Sequence, residues 1–123
     1  MAMVKLITLL KRKAGMSRED FIAYYENNHR VIGEKYLRAH ACRYVRRYLQ
    51  PLPHPMTGEI IEPDHDVLME IWFPDEAALY ATMAVLTAPA AAAEIAADEE
   101  KLFDRPKMRM FTVQEFESEL NPQ

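Results

Sequence analysis

Residues 66–73 read DVLMEIWF. Val67, Met69, Ile71 and Phe73 share one parity and are all apolar, whereas Asp66, Leu68, Glu70 and Trp72 share the other and are mixed. Successive side chains of a strand point to opposite faces, so this spacing predicts a strand with one face in a core and the other in different surroundings. Pro74 and Asp75 follow, the first unable to continue the ladder and the second suited to cap a helix. Leu79, Met83 and Leu86 then recur on one helical stripe until Pro89, which is expected to break or kink it. The alanine-rich residues 90–97 continue as strong helix formers with an acidic end, and Asp104 and Pro106 close that helix. Residues 108–116 supply a last strand.

Working back from residue 66, residues 51–65 form a long Pro-rich loop or flap. Pro51, Pro53, Pro55, Gly58 and Pro63 leave room for little beyond a two-stranded flap about Gly58, and long loops often cover sites. Before it, Cys42, Tyr44, Arg46 and Tyr48 alternate with Arg43, Val45, Arg47 and Leu49, which predicts a strand over residues 41–49. At the start, residues 4–10 are apolar except for Lys5 and Thr8 and are too short for an independent helix, so they read as a strand buried on both faces. Gly15 turns the chain, and Ser17 with Asp20 resembles a capping box that starts a helix near Arg18. Phe21, Tyr25 and His29 follow at four-residue spacing, with Tyr24 and Ile32 at helical offsets, so His29 is expected to point inward. Gly33 is expected to interrupt this helix.

The order strand, helix, strand, strand, helix, strand over residues 1–123 predicts a single α+β domain. Its fold is the ferredoxin-like βαββαβ arrangement, a four-stranded antiparallel sheet with two helices on one face. The other face carries Leu68 and Trp72 and would leave an apolar patch in water. Packing it on the same face of a second copy gives a homodimer, a dimeric α+β barrel, with a pocket expected between the sheet and the partner.

Composition narrows the rest. The chain has 123 residues, half of them apolar, and one cysteine. No internal disulfide or cysteine-based metal site can form, which favours a reducing compartment and a cytoplasmic location. The first apolar run is far shorter than the ~20 residues of a membrane span and basic residues follow it, so no membrane association is expected. A formal net charge of −4 argues against nucleic acid, although Arg38, Arg43, Arg46 and Arg47 make a local basic cluster that suits a small anion. His40, His54 and His65 lack metal-ligand spacing, and neither a Gly-rich phosphate loop nor a Ser–His–Asp arrangement appears, so no metal and no cofactor is assigned.

With MVKLITLLKRKAGMSREDFIAYYENNH at residues 3–29 and HDVLMEIWFPDEAALYATM at residues 65–83, the chain resembles the EthD family of dimeric α+β barrel proteins. It is also similar to the methylmuconolactone isomerases of that superfamily. The resemblance implies a cofactor-independent isomerase, dehydratase or cyclase acting on a small aromatic, lactone or polyketide-like compound, in a catabolic or a maturation role. By analogy with the isomerases it implies site roles for His29 and Tyr44, and more loosely for His54. Related barrels also bind haem, so an accessory protein that holds an apolar metabolite or haem without transforming it is the alternative.

The residues themselves support two readings each. His29 suits a general base in a dry pocket, or a half-buried histidine at a helix end. Tyr44 suits an oxyanion donor, or a strand aromatic that fills space. Asp66 and Glu70 share a face with Trp72, so if that face lines the pocket Asp66 becomes a candidate acid or base and Glu70 a binding group; either could instead pair with Arg46. Arg46 suits the carboxylate of a substrate. Tyr25 and Trp72 offer aromatic walls for a ring-shaped ligand, with Trp72 equally suited to a dimer core. The catalytic candidates are therefore His29, Tyr44 and Asp66, and the binding candidates Tyr25, Arg46, His54, Glu70 and Trp72.

Overall fold

A computed structural model describes residues 3–121. Strand β1 spans Val4–Leu10. The first helical segment covers residues 18–37 in three consecutive parts: α1 (Arg18–Tyr24), a π turn (Tyr25–His29) and α2 (Arg30–Leu37). Ser17 caps it, its hydroxyl accepting from the Asp20 N–H at 3.1 Å. At 3.6 residues per turn, side chains four apart drift around a helix by about 40° per step. The wider turn, in which the Arg30 N–H reaches the Tyr25 carbonyl, offsets that drift. Phe21, Tyr25 and His29 are all buried as a result. Gly33 does not interrupt this segment, because its φ is not positive and it continues α2.

Strand β2 is Arg43–Tyr48 and β3 is Val67–Phe73, each slightly shorter than the alternation alone predicts. Between them residues 51–65 hold no helix or strand. Around Gly58, at φ +73°, the segment makes one turn, with the Gly58 N–H on the His54 carbonyl at 2.8 Å. Asp75 caps α3, Glu76–Leu86, by accepting from the Ala78 N–H at 2.8 Å. Pro89 breaks the run: it occupies the first turn of a separate helix, α4 (Pro89–Leu102), set at 78° to α3. A short 3₁₀ turn, Arg105–Lys107, leads into β4, Arg109–Thr112, which is much shorter than residues 108–116. Among the described residues no single helix is long and apolar enough to cross a membrane.

The four strands lie in the order β2-β3-β1-β4, every pair antiparallel. Register fixes the faces. Leu6 stands opposite Ile71 and Thr8 opposite Met69 and Met110, while Tyr44 stands opposite Ile71 on the other side of β3. These side chains face the helices. Phe21, Tyr25, Leu10, Val67, Leu102 and Phe103 form one core cluster there, and Leu6, Leu37, Ile71, Phe73 and Leu79 a second. Edge-to-face ring pairs link the first cluster, with His29 5.1 Å from Tyr25 and 5.2 Å from Phe103 between ring centres. On the opposite face Lys5, Ile7 and Leu9 of β1 are only half-buried, so the strand is not covered on both sides as its apolar composition suggests. Among the described residues no helix packs on that face.

Candidate functional site

A cavity of about 250 Å³ opens between the sheet and the helices. It lies on the helix-covered face of the sheet, opposite the bare face where the sequence leads one to expect a pocket. The space sits where α3 and α4 meet at 78°, above the short side chain of Thr8 and beside the Tyr44 ring that Gly33 admits. Apolar groups make most of the wall, among them Met69, Met83, Met108 and Met110. His29, Tyr44, Tyr25, Thr8 and Glu99 supply its polar atoms. An outer groove of about 400 Å³ runs past Arg38, Cys42 and Arg43, but it is open, and Glu34 already answers Arg38 at 2.9 Å.

His29 reaches the cavity from the π turn, and its Nδ1 lies 2.8 Å from Asp98 Oδ2 on α4. An ionised carboxylate only accepts, so Nδ1 carries a proton, and in the neutral imidazole Nε2 keeps a free lone pair. The other Asp98 oxygen accepts from the Tyr24 hydroxyl at 2.5 Å. That bond to a carboxylate pushes the Tyr24 pKa up to about 12. Asp98 is buried and lies on the stripe Ala91, Ile95, Asp98, Leu102, which faces the core. The next residue, Glu99, lies in the cavity wall with Arg105 at 3.3 Å. Burial raises its pKa, and the opposing pull of His29 and Arg105 does not cancel the rise.

Tyr44 lies across Gly33, and its hydroxyl meets that of Tyr25 at 2.8 Å. Burial raises both phenols, Tyr25 well above its usual value and Tyr44 to about 12. For Tyr44 the bond from Tyr25 and the nearby Arg46 charge work against that rise. Either phenol can donate in this pair, and the Tyr25 hydroxyl also lies 3.5 Å from the Met69 sulfur, so a Tyr44 O–H turned from Tyr25 toward a ligand leaves Tyr25 with a second partner. The Arg46 guanidinium stacks 4.8 Å from the Tyr44 ring and is itself held by Glu26 through two bonds, at 2.7 and 3.0 Å. It therefore tunes Tyr44 and has no free fork for a substrate carboxylate, which corrects the binding role expected of it.

The other sequence candidates lie elsewhere. Asp66 accepts from the Arg12 N–H at 2.8 Å and pairs with Lys11 and Arg12 at the end of β3, so its carboxylate ties β1 to β3. Glu70 pairs with Arg47 at 2.7 Å and accepts from the Trp72 indole at 2.9 Å on the bare face. Trp72 lies there too, its ring between the Lys5 and Arg43 cations at 4.1 and 4.4 Å. His54 is exposed in the loop, its Nδ1 accepting from the Met56 N–H at 3.1 Å. None of these four lines the cavity. The cavity brings together His29, Tyr44 and Tyr25 from the expected set and adds Asp98 behind His29, Glu99, Gly33 and Thr8. Among the described residues no group of three or more His, Cys, Asp or Glu side chains could hold a metal ion.

Residues 13–106 match the model of the EthD domain. An EthD family protein from Bacillus halodurans superposes with a TM-score of 0.62 at 20% identity, over 94% of this chain and 100% of its own. An EthD-like protein from Ralstonia eutropha gives 0.60 at 17% identity, covering 92% and 89%. A dimeric ferredoxin-like protein from an uncultured marine organism gives 0.55 at 14% identity, covering 90% and 91%. No curated protein matches the sequence.

Proposed function

The chain belongs to the EthD domain family, and from that premise we propose that it is a cofactor-independent enzyme moving a proton on a small aromatic, lactone or polyketide-like compound. His29 is the base and Tyr44 the donor to the oxygen on which charge develops. One observation carries the reading: a histidine whose Nδ1 is fixed by Asp98 and a phenol able to turn its O–H from Tyr25 toward a ligand line the same mostly apolar cavity. A dry wall strengthens both interactions, because a developing enolate there has no water to share its charge. Glu99, pushed toward its protonated form by burial, is the group able to return a proton to another carbon or oxygen.

Proton abstraction next to a carbonyl is read directly as hydrogen–deuterium exchange. With 2-tetralone as a ring-fused ketone in D₂O, proton NMR should show faster loss of the α-hydrogens with the protein than without it. His29→Ala and Tyr44→Phe should each cost roughly a hundredfold in that rate. An unchanged rate in the His29 variant would end the proposal. The methionine-lined wall also suits an adaptable carrier of apolar metabolites or haem. Under that second reading tetralone binds with no exchange, or added haem gains a Soret band on mixing.

A homodimer through the bare sheet face belongs to the same proposal. Ile7, Leu9, Val45, Leu68, Trp72 and Phe111 share that face by register with Lys5, Arg43, Arg47, Glu70 and Arg109, a mixed face whose apolar members a second copy would cover.

A further inference from the structure

Two buried side-chain hydroxyls have no hydrogen-bond partner among the described residues, Thr8 and Thr82. Only Thr8 lines the cavity, where it is 2% exposed. Leaving a buried hydroxyl unpaired costs folding free energy, and buried polar groups are nearly always satisfied. A valine would fill the same volume between Leu6 and Leu10 on the same strand face, suit a strand equally well and carry no such cost. The hydroxyl at the centre of this sheet face is therefore a liability to the fold that a cavity occupant would relieve.

We propose that Thr8 is a ligand-binding residue, and that the cavity takes a one- or two-ring compound with oxygen functions on opposite sides, one for Tyr44 and one for Thr8. This deepens the reading of the cavity as a small-molecule site and rests on it. The geometry sets the spacing of the oxygens. Tyr44 and Thr8 lie on strands separated by β3, and their positions along it differ by two residues, Ile71 against Met69. Two strand spacings give about 10 Å across the sheet, and two residues about 7 Å along it. The Tyr44 hydroxyl reaches back toward β3, 2.8 Å from that of Tyr25, which lies 3.5 Å from the Met69 sulfur, so the gap to Thr8 is shorter than the Cα separation and suits one or two rings, in keeping with a cavity of about 250 Å³. Met69 and Met110, the register neighbours of Thr8, offer thioethers to the ring and no competing donor to its oxygen.

The test compares 2,6-dihydroxynaphthalene with 6-methyl-2-naphthol, which keeps the shape and loses one hydroxyl. Calorimetric titration of the full chain gives the affinity ratio for wild type, Thr8→Val and Thr8→Ser. The ratio favouring the diol should fall about tenfold in Thr8→Val, the equivalent of one neutral hydrogen bond, and stay near wild type in Thr8→Ser. Thr8→Val should also melt no lower than wild type. A ratio unchanged by valine would overturn the role of Thr8 while leaving the cavity reading standing, and so would a valine variant that melts far below wild type, since the hydroxyl would then be paired within the fold. If neither naphthol binds the wild-type chain, the cavity reading itself fails and takes this inference with it.

Discussion

Gly33 stands where a methyl group would meet the Tyr44 ring: an added Cβ lies 3.1 Å from both Cε2 and the hydroxyl oxygen. The contact makes Gly33→Ala an informative substitution. Alanine favours a helix interior by about 1 kcal/mol over glycine, so with free space the variant would be more stable. Here Tyr44 must give by a few tenths of an ångström, which strains its 2.8 Å bond to Tyr25 at a cost bounded by the roughly 1–3 kcal/mol of a buried hydroxyl left unpaired. The two effects nearly offset in thermal stability but not in function. We expect a melting temperature close to wild type together with at least a tenfold slower exchange of 2-tetralone; full activity would show that the position of Tyr44 is not critical. Individual residues were legible in the sequence only where a pattern aimed them. His29 sits on a four-residue spacing and Tyr44 on an alternation, and both reach the cavity. Asp98 lies in an alanine-rich acidic stretch where a carboxylate passes for a solvated one. Its sign was the stripe of Ala91, Ile95 and Leu102, which shows that this one acid faces inward.

At the scale of elements, the π turn is joined to β2 by one carboxylate. Glu26 holds Arg46 through two bonds and accepts from the Tyr48 hydroxyl at 2.5 Å. Those bonds, the one from Arg46 foremost, lower its pKa below the usual carboxylate value against the contrary effect of burial. A depressed carboxylate stabilises the fold above its unfolded-state pKa, and that stability is lost as pH falls through the folded value. Glu99 has the opposite sign. Burial raises its pKa, so its contribution is complete below the unfolded-state value and is lost as pH rises through the folded one. His29 and Arg105, which face it from the π turn and the 3₁₀ turn, reduce that penalty, and Asp98 adds to it. Thermal melts from pH 3 to 8 should therefore separate the two. Glu26→Gln should flatten the loss of stability below about pH 4.5, and Glu99→Gln should raise stability at neutral pH while slowing exchange. A Glu99→Gln chain less stable than wild type at neutral pH would contradict its burial as an unfavourable charge. Element type and order were legible because the apolar periods are clean in β3 and α1. The role of Gly33 was not, since glycine marks a helix end only where the backbone turns left-handed, and here it makes room for a ring.

For the whole molecule, the sequence showed that the sheet has two unlike faces but not which one borders the cavity. Parity in β3 separates Met69 and Ile71 from Glu70 and Trp72 correctly, yet the depth of the space under α3 and α4 depends on a 78° break that Pro89 only hints at. The consequence is a separation of assembly from binding. The proposed dimer face carries Trp72 with its flanking cations, and the cavity is walled entirely by groups on the other side of the sheet and the helices above it. An interface of standard size buries about 1,600 Å² in total, at roughly 25 cal/mol per Å² of apolar area, enough for a dimer at micromolar concentration once the cost of association is met. Trp72→Glu puts a carboxylate toward one end of that face, beside Glu70, where Lys5 and Arg43 can partly compensate in a chain exposed to water but an interface that buries it cannot desolvate it cheaply. Light scattering should then find the wild-type chain at twice its 14.3 kDa mass and the variant at that mass, both folded. Because the cavity belongs to one protomer, the variant should still bind 2,6-dihydroxynaphthalene within a few-fold of wild type. A wild-type monomer would remove the dimer from the proposal, and a folded monomeric variant that has lost the naphthol would mean that the partner completes the cavity after all.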